Sequence, residues 1–151
     1  MRRINYIVLH CTAGPLNQSL EEIKEWWATP VAQGGPGFGQ TPGYHIIIKS
    51  DGTAVRLSPD EKPTYGVANH NSMSLHVCCI GGAGGKDTRT AAQLATLEKR
   101  VRYWLTEHPD AEVLGHRDLS PDRNKDSKIT PDEWVKTCPN YDARAWWASV
   151  K

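Results

Sequence analysis

The chain has 151 residues, a net charge of +1, 38% hydrophobic and 23% charged residues. That suits one soluble domain around one core, and it gives no electrostatic footing for nucleic acid. No run approaches the roughly 20 apolar residues that a membrane helix needs, and the opening MRRINYIVLH lacks the apolar stretch and cleavage site of an export signal.

In chain order, Ile4 to Cys11 reads as a buried strand, apolar and partly β-branched, ending at Thr12-Ala13-Gly14-Pro15. Ser19 with Glu22 is a capping box that opens a helix through about Ala28. Pro30 to Pro42 is a Gly/Pro-rich loop, the kind of segment that often carries function. Tyr44 to Lys49 reads as a strand, Asp51-Gly52 as a hairpin turn and Thr53 to Leu57 as the return strand. Ser74 to Ile80 is a further strand, stopped by Gly81-Gly82. Thr90 caps a long helix to about His108, with Leu94, Leu97, Val101 and Leu105 at helical spacing and Pro109 beyond its end. Val113-Leu114 is a short strand delivering Gly115 and His116, Pro131 to Val135 is a helical turn, and Asp142 to Val150 is a last helix. Strands alternate with helices, but one pair is a tight hairpin. The expected fold is therefore α/β: a central mixed β-sheet flanked by helices, in one domain spanning residues 1–151. Cys11, Cys78, Cys79 and Cys138 lack disulfide spacing and are expected to be buried free thiols in a reducing compartment, with Cys78 and Cys79 on opposite strand faces.

The chemistry concentrates in His10, His116 and Cys138, framed by IVLHCTAG, VLGHRDL and WVKTCPN. Two imidazoles and one thiolate are a donor set that zinc takes while keeping a fourth position open, the mark of a catalytic rather than a structural site. The three are scattered over nearly the whole chain, so spacing alone leaves buried structural histidines and cysteine as the ordinary alternative. Lys136, two positions before Cys138, and Tyr44, at a strand start, could complete a hydrolytic set; by themselves they read first as a solvated charge and a packed aromatic.

The ordered segments IVLHCTAG, GYHIIIKSDGTAVRL, NHNSMSLHVCCIGG, TAAQLATLEKRVRYWL, VLGHRDLSPD and WVKTCPNYDARAWW span nearly the whole chain. Together they resemble the zinc-dependent N-acetylmuramoyl-L-alanine amidases of the phage T7 lysozyme type, relatives of the peptidoglycan-recognition proteins. The resemblance implies zinc ligands at His10, His116 and Cys138, and catalytic roles for Tyr44 and Lys136. It implies hydrolysis of the amide between N-acetylmuramic acid and L-alanine, with bacterial peptidoglycan or its fragments as partner. The chain is expected to act as a monomer without nucleic acid or membrane. It would stay in the cytoplasm until released to the wall, or process fragments there. The substrate groove should cross the zinc site and be edged by the Pro30–Pro42 loop. His76 departs from the pattern, standing where the family usually has glycine; its side chain either narrows the floor of the cleft or points outward. The turn Tyr65-Gly66-Val67-Ala68-Asn69 is shorter than the family's. His45 is expected in the core or behind the ligands, and Asn71 to anchor a loop.

Asp122, Asn124, Asp126 and Glu133 fall at positions 1, 3, 5 and 12 of a calcium-loop register, but Ser127 in place of the turn glycine weakens the match, and a polar surface loop with Pro131 starting a helix is the ordinary alternative. Two non-enzymatic readings stand beside the amidase: a peptidoglycan-binding module that does not cut, and a calcium-loop interaction domain. The first should have lost the cysteine ligand, which is present; a zinc determination separates the second.

Overall fold

The computed structural model describes residues 2–151. Its centre is a five-stranded sheet built from β1 (Tyr6–Cys11), β2 (Ile46–Ile48), β3 (Ala54–Arg56), β4 (Ser74–Cys79) and β5 (Glu112–Gly115), in the order β3-β2-β4-β1-β5. β1 lies between β4 and β5 and runs parallel to both; β2 is parallel to β4, and β3 is antiparallel to β2. The sheet is thus mixed, as the hairpin signal implies. Three helices complete the framework: α1 (Leu20–Ala28), α2 (Ala91–Glu107) and α3 (Ala143–Val150). The Ser19 hydroxyl accepts from Glu22 N, while Thr90 and Gln93 close a reciprocal capping box.

Alternation along the strands sorts the core into two faces. Ile7, Leu9, Ile46, Ile48, Leu75, Val77 and Cys79 point to one side, where Leu97, Val101 and Trp104 of α2 and Ala143 of α3 cover them. Ile47, Cys78 and Ile80 point to the other, against Ile23 and Trp27 of α1. Cys78 and Cys79 lie in different clusters, and all four cysteines are buried and free.

Two elements depart from the sequence expectation. The buried stripe of α2 is Gln93, Leu97, Val101 and Trp104, displaced by one position at each end from the leucine pattern. A buried glutamine wins at the start because its amide is fully used: Oε1 accepts from Thr90 N, and Nε2 donates to the carbonyls of Ile48 and Ile80. At the other end the indole of Trp104 buries its ring and donates to Asp60 Oδ2. The second departure is at β2, which begins at Ile46 rather than Tyr44. Tyr44 packs with Ile47 on the α1 side, while Ile46 and Ile48 point the opposite way, so alternation breaks between 44 and 46. Leu57 N and Ser58 N both reach the His45 carbonyl, the mark of a local bulge. Continuous alternation would have turned Tyr44 away from α1. Among the described residues no helix is long and apolar enough to cross a membrane.

Candidate metal centre and cleft

The site is assembled on the α1 side of the sheet. His10 lies near the end of β1, in register with Cys78 of β4, and Val8 two residues earlier is in register with both His76 and Leu114. His116 follows β5 directly, in the short helical turn His116–Leu119 that Asp118 caps by accepting from Gly115 N at 2.8 Å. Parallel neighbouring strands end on the same side, so β1 and β5 present their two imidazoles together, with ring centroids 5.1 Å apart. Cys138 arrives from a loop. Arg117 N donates to its carbonyl at 3.0 Å, and Cys11 N donates to its sulfur at 3.3 Å. Gly115 permits this approach: a Cβ there would lie 2.6 Å from Pro139 Cδ.

One ligand atom from each of His10, His116 and Cys138 falls within 4.8 Å of the others. His10 Nδ1 is 3.7 Å from Cys138 Sγ. Tetrahedral zinc with ordinary Zn–N and Zn–S bonds needs ligand atoms roughly 3.3–3.7 Å apart; the His10–Cys138 pair meets that spacing, and two imidazoles with one thiol are donors that zinc takes. The electrostatics fit as well. Burial, reinforced by the neighbouring histidines and Lys136, holds His10 well below the usual imidazole range, and burial with Lys136 lowers His116 to about 4. Both rings are therefore neutral and keep lone pairs for a cation. A hydrogen bond with Cys11, together with burial, holds the Cys138 thiol well above its usual range. A cation beside that sulfur would favour its thiolate form.

A cleft of about 490 Å³ opens beside these residues, lined by His116, Lys136, Cys138 and Tyr44 and walled by Trp26, Trp27, Phe38 and Tyr65. Pro36 and Phe38 bring the predicted loop to its edge. The Tyr44 ring sits 4.8 Å from that of His10 and 5.5 Å from Trp27, and burial raises its phenol well above the ordinary range, leaving it a neutral O–H donor. Lys136 is exposed at the mouth. All five residues singled out from the sequence thus meet in one place.

Behind the site, His45 and His76 are fully buried. His76 points inward, toward His10, and His45 Nδ1 accepts from His76 N at 3.0 Å. Asn71 Oδ1 accepts from Val67 N at 2.8 Å and anchors the turn, as the sequence suggested. Residues that sequence reasoning passed over are Gly115, Arg117 and Cys11, whose roles are backbone contacts across 20 or more positions; no local signal announces them. In the separate loop at 122–133, carboxylate oxygens of Asp122, Asp126 and Glu133 also gather within 4.8 Å. Asn124 is bonded to Asp126, and Ser127 adopts φ +67, the conformation in which glycine is expected. Asp122 Oδ2 accepts from Ser127 N, and Oδ1 is buried without a partner.

The sequence pattern described as N-acetylmuramoyl-L-alanine amidase matches residues 1–140. The endolysin of Escherichia phage T7 is 31% identical over 150 residues, covering 93% of this chain and 83% of that one. An uncharacterized protein of Haemophilus influenzae is 46% identical over 84 residues, covering 53% of this chain and 72% of its own. Among solved structures, the N-acetylmuramoyl-L-alanine amidase LysC from Clostridium intestinale URNW superposes with a TM-score of 0.69 at 21% identity, covering 99% of this chain and 88% of that one. The family match over nearly the whole chain places it among the amide hydrolases. Within that class, the chain belongs to the N-acetylmuramoyl-L-alanine amidase family.

Proposed function

We propose that residues 1–151 act as a single catalytic domain, a zinc-dependent enzyme that cleaves the amide between N-acetylmuramic acid and L-alanine in bacterial peptidoglycan or its fragments. The observation that carries this reading is the convergence of His10, His116 and Cys138, with ligand atoms within 4.8 Å, beside the cleft that Tyr44 and Lys136 line. Those three residues would hold zinc, which when bound supplies Lewis acidity at the scissile carbonyl. The rest falls to the chain itself. The Lys136 ammonium stabilises the oxyanion that develops as the carbonyl becomes tetrahedral. The Tyr44 phenol, neutral and held against His10 and Trp27, donates a hydrogen bond or passes a proton beside the same centre. Trp26, Phe38 and Tyr65 offer apolar faces to sugar and peptide, and the open groove suits a long polar substrate. The protein works as a monomer, without nucleic acid or membrane. It reaches the wall after release from the cytoplasm or trims fragments inside the cell.

The acidic loop belongs to the same reading: Asp122, Asn124, Asp126 and Glu133 are the residues that would hold calcium. The unpartnered Asp122 Oδ1 and the left-handed Ser127 support it.

Incubating zinc-loaded protein with purified peptidoglycan and measuring newly freed L-alanine amino groups tests the activity. Release by the wild type and its loss in Cys138→Ser are expected. Binding to peptidoglycan without release would instead favour the non-catalytic module.

A further inference from the structure

We propose that His76 and Asn71 form a hydrogen-bonded relay that sets the tautomer of His10 and aims its Nδ1 lone pair into the metal site, making His76 a positioning residue. This rests on the zinc reading above. The ring of His76 is fully buried beneath the ligands, and both its nitrogens are engaged: Nδ1 lies 2.9 Å from His10 Nε2, and Nε2 lies 2.9 Å from Asn71 Oδ1.

The proton positions follow in sequence from one backbone group. Val67 N–H can only donate, and it donates to Asn71 Oδ1 at 2.8 Å. The Asn71 atom at that place is therefore the carbonyl oxygen, an acceptor. His76 Nε2, facing the same oxygen, must carry the proton. A neutral imidazole then leaves its Nδ1 as an acceptor. His10 Nε2 faces that acceptor and must donate. His10 Nδ1 is left unprotonated, and it is the nitrogen that faces Cys138 Sγ at 3.7 Å. One main-chain N–H in the turn after Tyr65 thereby decides the protonation of a metal ligand three bonds away.

The surroundings are shaped to keep the relay in place. A Cβ at Gly66 would overlap the His76 ring, so the short turn can pass over it only with glycine there. The His45 ring stacks against His76 at 5.9 Å with an interplanar angle of 15°, and its Nδ1 holds the His76 backbone N–H. A ligating histidine whose second nitrogen is fixed this way loses rotational freedom, and removing such a partner typically weakens metal binding by about 10- to 100-fold.

The test uses the whole chain with two readouts. Nitrogen NMR of the histidine rings in metal-free protein, assigned with His10→Gln, should find His10 and His76 both protonated at Nε2. In His76→Leu the His10 ring should shift toward a mixture of tautomers. Zinc affinity by chelator competition should fall about 10- to 100-fold in His76→Leu. Asn71→Leu, at the outer end of the relay, should move both readouts in the same direction and serves if His76→Leu fails to fold. His10 protonated at Nδ1 in the wild type overturns the relay. So do folded variants with unchanged tautomer and unchanged affinity, which would leave His76 as packing alone. A wild type that binds no zinc overturns the metal reading alone, since the ring tautomers of the metal-free protein still decide the relay.

Discussion

Zinc uptake should release about one proton at pH 6, and the number is a direct reading of how the site is buried. An ordinary imidazole titrates near 6.5, so at pH 6 it is about three-quarters protonated. Two exposed histidines would together give up about 1.5 protons to a metal, and the thiol one more, for a total near 2.5. Here desolvation holds His10 well below that range and lowers His116 to about 4, so both are already neutral at pH 6. Cys138 is still protonated, because its hydrogen bond with Cys11 and its burial raise the thiol well above its usual range. One proton leaves, from sulfur. Apparent affinity should accordingly rise about tenfold per pH unit, equal to about 1.4 kcal/mol, between pH 5 and 7. Titration calorimetry of zinc into metal-free protein, run in two buffers of different ionisation enthalpy, counts the protons. A value near 2.5 would mean the imidazoles are not desolvated as described. A value near zero would mean that Cys138 is not a ligand.

Lys136→Ala and Tyr44→Phe should keep zinc stoichiometry while losing activity, with the lysine change costing roughly 10²–10³ in turnover; wild-type-like turnover in the lysine variant would refute its role. Metal-free protein should lose stability as pH falls from about 6.5 toward 4. His45, His116, His10 and His76 are all depressed by burial, so the unfolded chain binds more protons in that window, and denaturant melts at pH 7 and 5 would show the difference. Millimolar calcium should raise the thermal midpoint of the zinc-loaded protein by mass action without changing turnover; an unchanged midpoint would leave the 122–133 loop as a solvated turn.

The strands and the helix starts could be read from the chain because they rest on local pattern, β-branched runs and the caps Ser19 and Thr90, whereas His10, Tyr44, His116, Lys136 and Cys138 are picked out together only by the ordered motifs of the family resemblance. What escaped depends on partners far away. Gln93 is polar and sits one place off the leucine stripe; only the carbonyls of Ile48 and Ile80 make its burial favourable. Tyr44 lies in what reads as an unbroken strand, yet a bulge at His45 turns it to the cleft. His76 could be seen to be unusual, but which way it points is decided by Gly66 and Asn71 folding back beneath β4. Periodicity cannot report such closures.

The clasp between Arg117 N and the Cys138 carbonyl has a bearing on how this protein could be altered. It ties the second and third ligands together at the foot of the long excursion that separates them. Val135 N on Ser120 Oγ adds a second stitch, and the Arg117 guanidinium lies 4.1 Å from the Trp134 ring centre as a third. Everything between hangs from a closed neck, and lengthening a closed loop costs only about 0.6 kcal/mol per doubling. The excursion is therefore a graft point. Peptides of other lengths or binding properties could replace residues 122–132 while the ligand spacing stays as the neck sets it.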